Sequence, residues 1–194
     1  MNHKPESFTT TQVVLKPHAL QALLGINAAV VTNACVELRE FSAAQLNMKL
    51  FEADNEQERV NLLLGFLGTK LKQARTPDRL IEEGLRLIHK NATSITVNHL
   101  LERLNISERQ FEKRFIQTVG IPPQFYIRIK RFNQAIRLIQ TRQFEKLTDV
   151  AHSLNFYDQS HFIRDVKAFS GITPKTLSQK MAEFEPAHGV YAYT

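Results

Sequence analysis

Two similar stretches decide the fold of this chain: VNHLLERLNISERQFEKRFIQTVGIPPQF at residues 97–125 and TDVAHSLNFYDQSHFIRDVKAFSGITPKTL at residues 148–177. When the two are aligned, Leu104-Asn105-Ile106 falls on Leu154-Asn155-Phe156, and both copies continue to a Gly-x-x-Pro sequence. The second copy has one extra residue in its turn. Two matches so close together indicate a structural unit that occurs twice.

Each copy has the pattern of a short helix, a tight turn and a second helix. Asn105 and Asn155 fall where the chain must reverse, and asparagine adopts the left-handed backbone conformation more readily than most residues. Ser107 and Asp158 follow, and each can accept hydrogen bonds from the first amides of the next helix. A glycine suits the end of each second helix, and a proline suits the start of the helix after it. The sequence therefore predicts two helix-turn-helix units.

The second helix of each unit is predicted to bury one face and to present a polar one. Phe111 and Phe115 in the first unit, and Phe162 and Val166 in the second, have helical spacing and are expected in the core. The opposite faces carry Glu108, Arg109, Glu112 and Lys113, and Gln159, His161, Ile163 and Arg164. Arginine, lysine and glutamine suit the edges of DNA bases, and glutamate can accept a hydrogen bond from cytosine. These faces favour DNA reading over an ordinary helical bundle.

A long helix is predicted between the two units, over residues 123–142. Its buried face is expected to carry Phe125, Ile129, Phe132, Ile136 and Ile139. About 20 residues at 1.5 Å each give a rod near 30 Å, close to one turn of B-DNA at about 34–36 Å. Such a rod can hold two recognition helices on the same side of a duplex. Basic residues along it are expected to reach phosphates, although Arg131 suits a buried ion pair equally well.

The first part of the chain has weaker patterns. Residues 9–16 (TTTQVVLK) are rich in β-branched side chains and predict one strand, which has no partner strand nearby. Residues 18–25 (HALQALLG) predict a helix that ends at Gly25.

Residues 55–74 predict an amphipathic helix. Its leucines and one valine recur at steps of three and four: Val60, Leu63, Leu64, Leu67 and Leu71. Leu62 and Phe66 widen the apolar face beyond a narrow stripe. We therefore expect a helix sandwiched in the core, with an interface as the alternative.

A domain boundary is predicted at Arg75-Thr76-Pro77-Asp78, because proline restricts the residue before it and Asp78 can cap a helix over residues 78–90. Residues 79–182 hold 17 of the 25 lysines and arginines and 9 of the 19 acidic residues, so the whole basic excess lies there. A lopsided basic domain is typical of a protein that binds a polyanion, with a merely solubilising surface as the alternative. We expect an N-terminal region at residues 1–77, a DNA-binding domain at 78–182 and a tail at 183–194.

Several functional classes are disfavoured by the composition. The single cysteine, Cys35, cannot form an internal disulfide and is expected to be a small core residue rather than a nucleophile. No apolar run approaches the roughly 18–20 residues that span a bilayer, and the N-terminus has no apolar signal core. The histidines are scattered, and no metal-ligand pair, nucleophile elbow or phosphate loop is present. We expect a cytoplasmic protein that is not an enzyme, without a cofactor, a metal site or a membrane partner.

The basic half is similar to the DNA-binding domain of the AraC/XylS family of bacterial transcription regulators. The similarity is carried by Val150-Ala151-(x)2-Leu154-Asn155-Phe156-x-Asp158-Gln159-Ser160-x-Phe162-x-Arg164, followed by Lys167, Gly171, Thr173 and Pro174. It covers about half of the chain, residues 79–180. It implies a mainly α fold with seven helices, in which two helix-turn-helix units joined by a long helix bind asymmetric promoter sites through adjacent major grooves.

The resemblance also implies which residues contact DNA. The base-reading positions are Arg109, Glu112 and Lys113 in the first unit, and Gln159, Ser160, His161 and Arg164 in the second. Phosphate contacts are expected at Arg128, Lys130, Arg137, Lys167 and Lys175.

The chain departs from the family pattern at several positions. Asparagine replaces the usual glycine at both turns, which the left-handed conformation tolerates. Val166 replaces a usual phenylalanine and Leu177 a usual aromatic residue, so the core of the second unit is expected to be smaller. Lys113 replaces a common arginine and loses the bidentate pairing of a guanidinium group.

Partners follow from the same resemblance. We expect double-stranded promoter DNA, RNA polymerase, and a homodimer formed through residues 55–74; the sequence does not identify a small-molecule effector. Family members usually carry an N-terminal sensing or dimerising domain, but only residues 16–41 resemble the junction that precedes the DNA-binding domain. The chain is therefore expected to be a fragment, or a short member without a complete ligand barrel. The alternative is a helical adaptor that modulates another regulator without binding DNA, with residues 55–74 as its binding feature.

Overall fold

The computed structural model describes residues 12–34, 44–142 and 144–183, and this part of the chain is helical. It contains eleven helices and no strand. In chain order they are α1 (Ala19–Leu24), α2 (Ala28–Val31), α3 (Ala44–Glu52), α4 (Glu56–Lys72), α5 (Arg79–Lys90), α6 (Val97–Leu104), α7 (Glu108–Val119), α8 (Pro123–Thr141), α9 (Leu147–Ser153), α10 (Gln159–Ser170) and α11 (Pro174–Glu183). The mainly α fold is as predicted, and seven helices run from Arg79 to Glu183.

The predicted strand, the predicted position of Cys35 and the predicted C-terminal tail lie partly or wholly outside the described residues. The strand predicted over residues 9–16 begins outside them, and it is wrong for residues 12–16, which are irregular and exposed. An extended segment needs a second strand with which to exchange backbone hydrogen bonds, and no strand occurs among the described residues. Cys35 lies outside the described residues, and so does the predicted tail apart from the end of α11.

The chain divides into two compact units. One consists of the described residues up to Ile81 together with Lys113–Ile121. The other consists of Glu82–Glu112 together with the described residues from Pro122 onward.

In the first unit, α4 packs against α1 and α3. Asn55 caps α4 by accepting a hydrogen bond from the Glu58 amide at 2.9 Å. None of the side chains of α4 is fully buried, and Leu64 and Leu71 are 60% and 67% exposed. The expectation of a helix sandwiched in the core is therefore wrong within the described residues, because the two short helices beside α4 cannot cover its wide apolar face.

The end of α7 is joined to α2 within the same unit. The Thr32 hydroxyl donates to the carbonyl oxygens of Gly120, at 2.9 Å, and Ala28, at 3.0 Å. Gly120 has a φ of 94°, and a Cβ atom built there would collide with the Thr32 hydroxyl oxygen. Glycine is therefore required at this position both for its backbone conformation and for the close approach.

In the second unit, α8 packs against α9, α10 and α11. The core between them contains Ala135, Val150, Ala151, Leu154, Phe156, Phe162 and Val166, with Phe132, Leu138, Phe144 and Leu177 packed against it. Val166 is fully buried and Leu177 contacts the cluster, so the smaller side chains at these two positions still close the core.

The buried face of α8 differs from the predicted one. Its fully buried residues are Pro123, Tyr126, Ile127, Ala135 and Ile139. Of the predicted face, Ile139 is buried, Phe132 is half-buried against the core cluster, and Ile129 and Ile136 are half-buried. Phe125 is 40% exposed and lies against Phe169, with ring centroids 5.6 Å apart. Because several helices pack around α8, its burial is spread over more than one stripe, and a single-face pattern could not describe it.

Candidate nucleic-acid interface

The turns of the two helix-turn-helix units have the same backbone geometry. Asn105 and Asn155 both adopt left-handed φ angles, 48° and 53°. In each copy the asparagine amide donates to the carbonyl three residues earlier, and the next amide donates to the carbonyl five residues earlier. These bonds use carbonyls that the end of a helix would leave unpaired. The repeat and the left-handed turns predicted from the sequence are therefore confirmed.

The helices after the turns, α7 and α10, end at the predicted glycines, and α10 begins at its predicted cap. The Asp158 carboxylate accepts a hydrogen bond from the His161 amide at 2.6 Å and caps α10. Ser107 contributes its backbone carbonyl, which accepts from the Phe111 amide at 3.0 Å. Gly171, with a φ of 76°, ends α10, as Gly120 ends α7. The start and end of α10 are thus fixed by local side-chain and backbone chemistry.

The inner faces of α7 and α10 are deeply buried. Phe111 and Phe115 are 0% exposed, and Phe162 and Val166 are 1% exposed. All four are therefore core residues, as the helical spacing predicted. Their burial fixes the rotation of each helix about its own axis and so determines which residues remain outside.

The predicted base-reading residues lie on the outer faces. Six of them are exposed: Arg109, Glu112, Lys113, Gln159, Ser160 and Arg164. The seventh, His161, has a half-buried side chain, 38% exposed. Its ring meets the edge of the Phe156 ring at 5.5 Å between centroids. The outer face of α10 thus combines free polar groups with one group held against the core.

A buried carboxylate lies directly beneath this face. Asp165 accepts from the Arg128 guanidinium, with Nη2 2.8 Å from Oδ1, and its side chain is only 7% exposed. His161 Nε2 lies 3.8 Å from the same Oδ1 atom. The charge of Arg128, one of the residues expected to contact phosphate, is therefore compensated within the protein. Sequence reasoning missed Asp165; the signal was an acidic residue one turn after His161 on a basic helix.

Arg131 lies over a ring. Its guanidinium carbon is 5.4 Å from the centroid of Phe156, a cation–π arrangement. Burial lowers the pKa of Arg131, and the charge of Asp165 works in the opposite direction. Arg131 forms no direct ion pair among the described residues, so the predicted buried ion pair is not observed. Its half-buried position over the Phe156 ring nevertheless favours a structural role over a phosphate contact.

The other residues expected to contact phosphate fall into two groups. Arg137, Lys167 and Lys175 are exposed. Lys130 is half-buried, with its ammonium 5.6 Å from the centroid of the Tyr126 ring, and burial lowers its pKa. The three exposed cations can reach a phosphate without first leaving a partner in the protein.

An ion pair holds α7 against the first turn of α5 within the first unit. Arg114 donates through Nη2 and Nε to the two oxygens of Asp78, at 2.5 Å and 2.7 Å. Asp78 also accepts from the amides of Leu80 and Ile81, so it caps α5 as predicted. Burial acts to raise the pKa of Asp78, but the bonds from Arg114 and the two amides outweigh it and hold the pKa below its ordinary value. The cap was predicted; its partner Arg114 was not.

The described residues also bear on membrane insertion and metal binding. None of the helices in the described ranges is both long enough and apolar enough to cross a membrane. The described residues contain no cluster of three or more histidine, cysteine and acidic side chains that could hold a metal ion.

Part of this chain is similar to known proteins. Residues 100–180 match the model of a family described as a helix-turn-helix domain. The chain is 27% identical, over 104 residues, to the HTH-type transcriptional activator AarP of Providencia stuartii; the match covers 53% of this chain and 76% of AarP. A transcriptional regulator from Chromobacterium violaceum, described among AraC-type DNA-binding domain-containing proteins, has a crystal structure that covers 55% of this chain and 96% of its own, with 24% identity and a TM-score of 0.49. The family match runs from within α6 to within α11 and so contains both turns.

Proposed function

We propose that this chain, whose residues 100–180 match a helix-turn-helix domain family and whose basic half resembles the AraC/XylS regulators, is a DNA-binding transcriptional regulator. In this proposal α7 and α10 enter adjacent major grooves of promoter DNA. The observation that carries the proposal is the pair of equivalent turns, each leading into a helix with a buried inner face and a polar outer one. The long helix α8 has 19 residues and thus a length of about 28 Å. That length is comparable to the spacing of successive major-groove faces, about 34–36 Å.

The proposed roles follow from side-chain chemistry. Arg109 and Arg164 can each pair bidentately with guanine, and Gln159 can pair with adenine. Glu112 can accept from cytosine, while Lys113, Ser160 and His161 supply further donors. The exposed cations Arg137, Lys167 and Lys175 would set the register by binding phosphates. Arg128 and Lys130 would serve the structure first, since Asp165 and the Tyr126 ring already engage them.

Footprinting on the DNA upstream of the chain's own gene tests whether both helices read DNA. We expect two protected patches about 10 base pairs apart on one side of the duplex. Arg109→Ala should weaken one patch and Arg164→Ala the other. Arg86→Ala is the matched control, because this exposed arginine pairs with Glu83 on α5 and lies outside the proposed contacts. A single patch that both variants weaken equally would contradict the two-helix proposal.

We propose further partners on the same basis. The relative AarP is a transcriptional activator by name, so activation with RNA polymerase, in the cytoplasm, is the expected mode of action. Exposed Leu64 and Leu71 on α4 support a homodimer through residues 55–74. The same two leucines favour the second candidate function, an adaptor that binds another regulator. If the protein does not retard DNA in a gel even at low salt, the adaptor is the better interpretation.

A further inference from the structure

We propose that the first unit binds a small organic anion with an apolar body, in two adjoining cavities between α1 and the segment 74–78. The carboxylate, or an equivalent anionic group, would occupy the polar cavity, which has a volume of about 490 Å³. The apolar body would occupy the neighbouring cavity of about 420 Å³. Both volumes fall in the range of known small-molecule sites, roughly 300–1,000 Å³.

The polar cavity carries an excess of positive charge. Arg75, Arg79 and Arg114 line it, and Asp78 is the one acidic residue that does so. Asp78 is already engaged by Arg114. Among the described residues neither Arg75 nor Arg79 forms an ion pair, so two guanidinium groups remain for a ligand. Guanidinium groups bind carboxylates and phosphates through paired hydrogen bonds.

The second cavity is apolar. It is lined by Ala19, Ala22, Leu23, Leu71, Ala74 and Pro77, together with residues that it shares with the polar cavity. The small alanine side chains leave room between α1 and the end of α4. Leu71, whose side chain is largely exposed, lies at this cavity, so an apolar ligand would remove part of its surface from water.

The two cavities adjoin at Arg75. This residue lines both of them, as do His18, Ala22, Thr76 and Pro77. The Arg75 amide donates to the Ala22 carbonyl at 3.0 Å. Its guanidinium lies against Gly25, where a Cβ atom would be 3.3 Å from the guanidinium carbon. The cation is thus held at the C-terminal end of α1, where the helix dipole favours positive charge, and the cost of ordering it for a ligand is reduced.

These features select the class of ligand. Inorganic phosphate or acetate would satisfy the arginines but leave the apolar cavity empty. A neutral apolar compound would fill the apolar cavity but leave the guanidinium groups without a partner. A monocarboxylate with an aliphatic or aromatic body satisfies both. A phosphate of the DNA backbone is a second source of negative charge, and the experiment must separate it from a free ligand.

Occupation of the site would brace the first recognition helix, which is the part of this inference that rests on the proposed function. Arg114, Gln117 and Thr118 of α7 line the polar cavity. The Thr118 hydroxyl donates to the Gln21 side-chain oxygen of α1 at 2.7 Å. A ligand between α1 and α7 would therefore change how firmly α7 is held. Ligand binding itself can be measured without DNA, so its failure is distinguishable from failure of DNA binding.

The test is direct titration of the whole protein with octanoate and with 4-phenylbutyrate, followed by NMR or calorimetry. We expect saturable binding of at least one of these acids with a Kd below about 1 mM. Octanol, acetate and inorganic phosphate should each bind at least about tenfold more weakly, because each lacks half of the interaction. Arg75→Gln and Arg79→Gln should each weaken the acid about tenfold. Lys72→Gln, which removes a cation just before the segment, should not.

Three outcomes would overturn the proposal. One is the absence of saturable binding for both acids. Another is equal binding of acetate, phosphate and the longer acids, since that would indicate a bare anion site. The third is normal acid binding by Arg75→Gln with a reduced salt dependence of DNA binding, which would make Arg75 a contact to the DNA backbone. Circular dichroism of each variant distinguishes lost binding from lost folding.

Discussion

Arg164 and Asp165 are neighbours in the sequence with opposite surroundings. Arg164 is exposed on the outer face of α10, and Asp165 is buried beneath it and bound to Arg128. Because the side chains of adjacent helical residues point about 100° apart, one can meet a base while the other holds the helix in place.

The first prediction concerns Arg164 as a base-reading residue. Arg164→Ala should cost about 1–3 kcal/mol in binding to a specific duplex and much less on a scrambled duplex. The affinity of Arg164→Lys for the specific duplex should lie between those of the wild type and Arg164→Ala, because an ammonium cannot pair bidentately with guanine. Fluorescence anisotropy on both duplexes measures the difference. An equal loss on both would make Arg164 a phosphate contact.

The second prediction concerns Asp165 as a structural residue. Asp165→Ala removes the buried partner of Arg128 and should lower the free energy of unfolding by about 1–3 kcal/mol. The loss should be smaller than for a fully buried pair, because the Arg128 side chain is 39% exposed and partly screened by water. The control is Glu83→Ala, which breaks an exposed pair with Arg86 and should leave the free energy of unfolding nearly unchanged, because water screens such a pair. Urea denaturation of the two variants provides the comparison, and similar losses would contradict a special role for Asp165.

The third prediction follows from the lowered pKa of Asp78. Since the folded protein binds this proton more weakly than the unfolded chain does, the stabilisation is present above the unfolded pKa and is lost as the pH falls through the folded one. Acidification from about pH 6 to about pH 3 should therefore destabilise the wild type more than Asp78→Asn. Urea midpoints across this range provide the measurement. Parallel curves for the two proteins would show that the Asp78–Arg114 pair does not contribute to acid sensitivity.

At the scale of single elements, the turns are the most informative. Asn155 adopts a left-handed conformation that costs an ordinary L-residue about 1–2 kcal/mol. We expect Asn155→Ala to destabilise the second unit by about 1 kcal/mol, and Asn155→Gly to leave it unchanged or slightly more stable. Thermal unfolding tests this fourth prediction, with Asn61→Ala, a substitution within a helix, as the control. Loss of stability in the glycine variant would mean that the asparagine side chain itself is required.

The sequence predicted helices and turns correctly where they are determined by interactions between residues close together in the chain. Left-handed asparagines, the caps at Asp78 and Asp158 and the helical spacing of the buried phenylalanines act within a few residues, and each of them is found in the structure. The prediction failed where burial depends on neighbours distant in sequence. The α8 core includes Ala135, which is 0% exposed within the cluster formed with α9 and α10, whereas Phe125 is 40% exposed.

In the candidate site, too, the contacts between residues distant in sequence could not be predicted. The outer faces of α7 and α10 follow from helical periodicity, so their exposed residues could be predicted. The pairs Arg128–Asp165 and Arg114–Asp78 join residues 37 and 36 positions apart, and single-sequence patterns carry no information about such contacts. The cavities beside α1 depend on the course of the segment 74–78, which no local pattern describes.

At the scale of the whole molecule, the distribution of charge sets the mode of DNA association. The basic excess lies in residues 79–182, and the exposed cations Arg137, Lys167 and Lys175 belong to it. Non-specific association should therefore be fast and strongly dependent on salt.

The fifth prediction quantifies that dependence. The logarithm of the non-specific association constant should fall linearly with the logarithm of salt concentration, by about 0.9 for each phosphate neutralised. Replacing one of the three exposed cations by glutamine should reduce the slope by about that amount. Lys72→Gln in the N-terminal region should leave the slope unchanged. Equal slopes in all variants would exclude these cations from the DNA interface.

The contact between Thr32 and Gly120 allows the packing of the N-terminal segment on α7 to be changed by a single substitution. A single methyl group at residue 120 cannot be accommodated while the Thr32 hydroxyl stays in place. Gly120→Ala would thus act as a wedge that separates α2 from the tip of α7 while leaving every outward-facing side chain of α7 chemically intact. Thr32→Ala is the comparison, because it leaves space at this contact instead of a wedge. A difference in promoter affinity between the two variants would show that the packing of the N-terminal segment affects DNA binding by α7.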